Sequence, residues 1–219
     1  MLNLRTTLIA AGLALAALAA TSPARANLII SCSGSGCSGN LATSTTNTVV
    51  TACAPACTFG DFTIGPLSML GYQDAAGKLA DTENLDVSAS GTGSISIDFT
   101  ETNLNAGTAA AFIMDFTGNL SGSLTATRQW YLDTSNTGGL GQLLGTCSSG
   151  TCSTMASALK ALSGPFSLTE VVTLNASGSG FLSSDDDIYV PEPATLSIFG
   201  LGLLALGAFQ YRRKTGSIL

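Results

Sequence analysis

The residues best placed to do chemistry are six cysteines, two groups of carboxylates and one pair of adjacent aromatics. The cysteines fall into three close pairs, Cys32 with Cys37, Cys53 with Cys57, and Cys147 with Cys152. None has the two-residue spacing of a redox motif or a zinc knuckle. In an oxidising compartment an even number favours disulfides. The loops Ser33 to Gly36 and Ser148 to Thr151 are flexible enough to bring their ends to the ~5.5 Å Cα separation that a bridge requires. Three local bridges are expected, with cross-linking between pairs as the open alternative. The chain has no histidine, which removes the usual general base and the commonest metal ligand. His-based triads and zinc sites are thereby excluded.

The carboxylates invite a metal reading. Asp185-Asp186-Asp187 could supply oxygen ligands to Ca²⁺, which takes six to eight. Adjacent residues of an extended chain point to opposite sides, so the three do not converge, and a solvated charge run guarding the last strand is expected. Asp81, Glu83 and Asp86 receive the same reading, so no metal site is expected. Trp130 or Tyr131 could stack on a sugar ring, but as strand neighbours they face opposite ways, leaving one for the core. Ser157-Ala158-Leu159-Lys160 and Lys214-Thr215-Gly216 match two signature elements of penicillin-recognising enzymes. The apolar segment between them keeps the two apart, and Ser157 and Lys160 read as the exposed face of a small helix. No catalytic residue and no cofactor is expected.

Both ends of the chain are apolar. Arg5 leads into the uncharged run Thr7 to Ala20, and Pro23-Ala24-Arg25-Ala26 then offers small side chains at Ala24 and Ala26 for signal peptidase. The run is shorter than the ~20 residues a spanning helix needs, so residues 1–26 read as a signal peptide cleaved before Asn27. At the other end, Ala194 to Phe209 carries no charge and is followed by Arg212-Arg213-Lys214. Helical from Ala194 to Tyr211, it would span about 27 Å against a ~30 Å hydrocarbon core. The basic cluster keeps its end cytoplasmic and the body outside the inner membrane.

Val190-Pro191-Glu192-Pro193, the Gly- and Leu-rich segment Gly200 to Gly207, and Arg212-Arg213-Lys214 together resemble the PEP-CTERM sorting signal of Gram-negative bacteria. The resemblance covers Val190 to Lys214. It implies that a membrane-embedded exosortase reads the Pro-Glu-Pro motif, removes the anchor and passes the protein to the surface or the extracellular matrix, with exopolysaccharide as an associated partner. The tail Thr215 to Leu219 departs from the family, whose members commonly stop at the basic cluster. Two prolines around Glu192 independently favour an extended segment, the form a protease-like cleft accepts. Gly200, Gly202 and Gly207 offer smooth faces for helix packing in a membrane.

Residues 27–190 then form the exported body, with residues 191–219 as the sorting signal. The body carries Lys78, Arg128 and Lys160 against 13 carboxylates, a net charge of −10. Such a surface repels phosphate backbones, so no nucleic-acid partner is expected. Whole-chain composition agrees with export, since only 10% of residues are charged where cytosolic domains carry roughly a quarter.

These features must be positioned by strands, because the body is written in period two. Ser94 to Phe99 alternates without error, and Phe166-Ser167-Leu168-Thr169 continues through Val172 and Leu174 with Ser, Thr and Asn interleaved. Leu120 to Leu132 puts Leu120, Leu124, Ala126, Trp130 and Leu132 on one face and Ser121, Ser123, Thr125, Thr127 and Gln129 on the other. Phe112 to Phe116, Thr48 to Thr51, Phe62 to Ile64 and Ile188 to Val190 add shorter strands. Asn103 to Gly107 and Asn136 to Gly141 read as breaks. Ser153 to Leu162 has helical spacing, with Met155, Leu159 and Leu162 on one side and Gly164-Pro165 as its end. The expected fold is mainly β, an antiparallel two-sheet sandwich of jelly-roll type with one short helix, followed by a C-terminal transmembrane helix. The expected function is that of a non-enzymatic surface or matrix protein. The alternatives are a secreted carboxylate-dependent hydrolase such as a glycosidase, which needs two carboxyls ~5–10 Å apart in a cleft, and a carbohydrate-binding adhesin module.

Overall fold

The structure, a computed structural model, describes residues 27–45, 49–70, 78–104, 110–148, 151–160 and 164–189, with side chains at 78–84, 110–111, 151–160 and 189 outside the description. Two long strands organise it, β9 (Ala110–Asp133) and β12 (Phe166–Tyr189), each of 24 residues. They pair antiparallel from Ser167 opposite Asp133 to Tyr189 opposite Ile113. The register shifts between Ala176 and Gly180, and there the ribbon bends. Gly122 lies opposite Gly180 at the bend with φ of +74°, a backbone conformation that side chains with a Cβ avoid.

The bend turns one ribbon into two layers. On its other edge the first half of β12 pairs with β8 (Thr92–Leu104), which continues to β1 (Asn27–Gly34) and β2 (Cys37–Ser44). The second half pairs with β7 (Lys78–Ala89). Beyond β7 lie β5 (Phe62–Ile64) and β6 (Leu67–Leu70), which carry β4 (Cys57–Phe59) and β3 (Val50–Ala52). The outer edge of β9 holds β10 (Gln142–Ser148) beside one half and β11 (Thr151–Lys160) beside the other. The two facing layers are therefore one continuous, nearly closed sheet of twelve strands, all antiparallel. The sequence suggested two separate sheets; β9 and β12 are instead long enough to serve both layers.

The core fills the space between the layers. Ile95, Ile97, Phe99, Leu124, Trp130, Phe166, Leu168, Val172 and Leu174 are all buried, as the alternation predicts. Phe62, Ile64, Val87, Phe112, Met114 and Phe116 approach from the other layer. The helix expected at Ser153 to Leu162 is corrected. Residues 151–160 form β11, laddered on β9 from Thr151 opposite Thr117 to Ala156 opposite Phe112. A ten-residue amphipathic segment holds a helix only weakly alone, whereas the edge of β9 offers a ready ladder. Leu159, which carried part of the helical signal, falls within the irregularity between Ala156 and Lys160, and Leu162 lies outside the described residues. No helix among the described residues is long and apolar enough to cross a membrane, and the expected C-terminal helix lies outside them.

Candidate functional site

The chemistry-bearing residues that converge are buried between the layers. Arg128 occupies an inward position of β9 between Ala126 and Trp130 and is 1% exposed. Its guanidinium carbon lies 3.4 Å from the centroid of the Phe116 ring, which comes from the other half of the same strand. The Arg128 Nε is 2.9 Å from Asp186 Oδ1 and 3.4 Å from Glu170 Oε1, and Nη2 donates to Ser184 Oγ at 2.7 Å. Asp186 and Ser184 belong to the second half of β12, Glu170 to the first. One cation thus ties both layers, with polar partners that a buried guanidinium needs.

Glu170 is joined in the core by one further carboxyl, Glu101. Glu170 is 3% exposed and Glu101, on β8, is fully buried. Glu101 faces the core in a row with Leu28 and Leu168, its register partners on β1 and β12. Burial pushes the Glu101 carboxyl well above its usual range. Burial does the same to Glu170, helped by the Asp186 charge and opposed by Arg128. The Trp130 indole also favours the ionised form of Glu170, without reaching hydrogen-bond geometry.

A second polar assembly closes the rim between β9 and β10. The Asp133 carboxylate accepts hydrogen bonds from the Ser135 and Thr137 amides at 2.7 and 2.9 Å and from the Thr137 hydroxyl at 2.6 Å. These bonds, the Thr137 hydroxyl first, lower its pKa to about 2. Asn103 and Asn136 exchange two bonds: the Asn103 amide donates to Asn136 Oδ1 at 2.7 Å, and Asn136 Nδ2 donates to Asn103 Oδ1 at 2.8 Å. The Gly138 amide donates to Ser167 Oγ at 3.1 Å, pinning the loop across the start of β12.

The cysteines sit at corners. Cys32 is bonded to Cys37 and Cys53 to Cys57, with Cα separations of 5.8 and 4.8 Å. Cys147 is disulfide-bonded as well; the side chain of its expected partner, Cys152, is outside the description. The ladders place Cys147 opposite Arg128 and Cys152 opposite Phe116, so this corner runs beside the cation and ring stack.

The acidic runs divide by face. Asp186 turns inward, correcting its reading as a solvated charge. Asp185 and Asp187 turn outward, where Asp187 lies opposite both Asp81 on β7 and Asp115 on β9. Two runs a hundred residues apart in sequence are therefore register neighbours. No group of three or more His, Cys, Asp or Glu among the described residues is arranged to hold a metal ion. Of the aromatic pair, Trp130 is fully buried and Tyr131 is half-buried on the outer face. Ser157 and Lys160 lie on β11. Val190, Pro191, Glu192, Pro193, Arg212, Arg213 and Lys214 lie outside the described residues.

The arrangement defines an antiparallel β module with a buried ionic cluster, whose last described strand ends at Tyr189. Residues 190–214, which follow at once, match the PEP-CTERM protein-sorting motif. The motif marks the chain for export, transient membrane anchoring and processing by an exosortase. No curated protein matches the chain. Among solved structures it is similar to that of TmCBM61 in complex with β-1,4-galactotriose, at 10% identity over 57% of this chain and 80% of that one, with a TM-score of 0.34. It is also similar to a structure of infectious bursal disease virus Gx strain, at 12% identity over 78% of this chain and 51% of that one, with a TM-score of 0.26. Likenesses this loose carry no argument about function.

Proposed function

We propose that the protein is a non-enzymatic surface or extracellular-matrix module associated with exopolysaccharide. Signal peptidase removes residues 1–26, residues 27–190 form the exported body, and an exosortase acts on residues 191–219. The observation that carries this reading is the sorting motif at residues 190–214, which begins where the β12 ladder ends. The inward carboxyls support the non-enzymatic part. Glu170 and Asp186 are both within reach of the Arg128 Nε and almost without solvent exposure, so their pairing serves packing; a hydrolase would need such a pair open to substrate.

The test follows the C-terminus. In the native host the mature surface protein should lack the sorting segment and fractionate with the matrix polysaccharide. In a strain without exosortase it should remain in the membrane fraction. Recovery of intact Leu219 on surface protein from the native host would overturn the sorting step, and absence from the polysaccharide fraction would overturn the matrix role.

A further inference from the structure

Among the described side chains the core contains three inward carboxyls, Glu101, Glu170 and Asp186, and a single inward cation, Arg128. The geometry fixes how that cation is used. Its Nε lies beside Asp186, with Glu170 slightly farther away, its Nη2 is given to Ser184 and its face to Phe116. Glu101 sits in the row of Leu28 and Leu168, and neither of its carboxyl oxygens has a hydrogen-bond partner among the described residues. Fully ionised, Glu170 and Asp186 would share one cation and Glu101 would have no partner among the described residues, in a medium that penalises each unpaired ion by several kcal/mol.

We propose that the two layers are joined by a proton-dependent seam, in which Glu101 and Glu170 each hold a proton at neutral pH and deprotonation loosens the fold. Other charged groups near the seam face away from it. Asp98 of β8, Asp86 of β7, Asp115 and Asp133 of β9, and Asp185 and Asp187 of β12 alternate outward or sit at the rim. Strands β1 to β6 contribute no Asp, Glu, Lys or Arg, and the cysteines of β1, β2, β4 and β10 are disulfide-bonded. The side chains of Lys78, Asp81 and Glu83 on β7 and Lys160 on β11 lie outside the description, and the Glu101→Gln and Glu170→Gln variants separate the seam's protons from theirs.

The sign follows from linkage. Above the ordinary glutamate value of 4.5 the unfolded chain releases protons that the folded core keeps, so stability is full below that value and falls as pH rises. The test is calorimetric unfolding of the mature protein between pH 4.5 and 8, in buffers of different ionisation enthalpy. Wild type should release about two protons on unfolding at pH 7, and the logarithm of its unfolding constant should rise by up to about two per pH unit. Glu101→Gln and Glu170→Gln should each reduce that slope towards one and gain stability over wild type as pH rises. Release of no protons by wild type, or stability that is flat or increases from pH 5 to 8, would overturn the proposal. The wild-type proton count decides the matter even where a Gln variant does not fold.

Discussion

Gly122 and Gly180 face each other across the β9–β12 pair at the point where one ribbon becomes two layers. A Cβ on Gly122 would meet the Ser179 carbonyl and stand 2.7 Å from the Gly180 Cα, and one on Gly180 would stand 2.6 Å from the Leu124 Cβ. Neither obstacle is the free end of a flexible side chain. Gly122→Ala should destabilise the body by about 2 kcal/mol or more, combining the positive φ with the close approach. Denaturant titration checks this; an unchanged midpoint would mean that the bend tolerates side chains.

Arg128→Leu should be among the most damaging single changes, at about 3–5 kcal/mol near neutral pH, because it strands Asp186 without its cation. Combining it with Asp186→Leu should recover much of the loss. Coupling near zero in the double-mutant cycle would show that the pair contributes no mutual stabilisation.

Asp133 reports on acid. Its pKa of about 2 against an ordinary 3.8 means that its contribution, about 2 kcal/mol, is full above pH 4 and is lost as pH falls through 2. Asp133→Ala should therefore be less stable than wild type at pH 6 and close to it below pH 2. A stability gap that persists at pH 2 would place the loss elsewhere in the rim loop.

Ile97 is fully buried between register partners Cys32 and Val172. Ile97→Asp should cost several kcal/mol by placing an unpaired charge there. An intact thermal transition at the wild-type temperature would contradict the inward register of β8.

Non-reducing peptide mapping should return Cys32 with Cys37, Cys53 with Cys57, and Cys147 with Cys152. A peptide that joins Cys147 to any of the other four would overturn the corner arrangement.

Much of the core was legible because strand alternation is strict where both faces have one character. Leu120 to Leu132 and Phe166 to Leu174 announce their inward positions that way. The same parity placed Arg128 between Ala126 and Trp130, and Glu170 between Leu168 and Val172. Their charge argued for solvent, and no local pattern says that a cation and a carboxylate 42 positions apart will meet. Asp186 was hidden further by its neighbours, since a run of three aspartates reads as solvated until the strand sends the middle one inward. Ser153 to Leu162 misled for the opposite reason: its helical spacing was real, and the open edge of β9 took residues 151–160 as a strand. The 24-residue lengths of β9 and β12 were not legible, because Phe112 to Phe116 and Leu120 to Leu132 read as separate strands, as did Phe166 to Leu174 and the segment from Ile188, whereas each pair lies on one continuous strand.

The strand that ends at Tyr189 is also the one from which the chain leaves towards its sorting motif. A pull on that tether runs along β12, which is gripped on one edge by β9 and on the other by β8 and then β7. Ladder bonds lie across the strands, so the tension is borne as shear by many bonds at once and reaches both layers through the bend. A body hung by its central strand resists extraction; one hung by an edge strand would unzip. Single-molecule stretching from the C-terminal side should accordingly give one abrupt rupture.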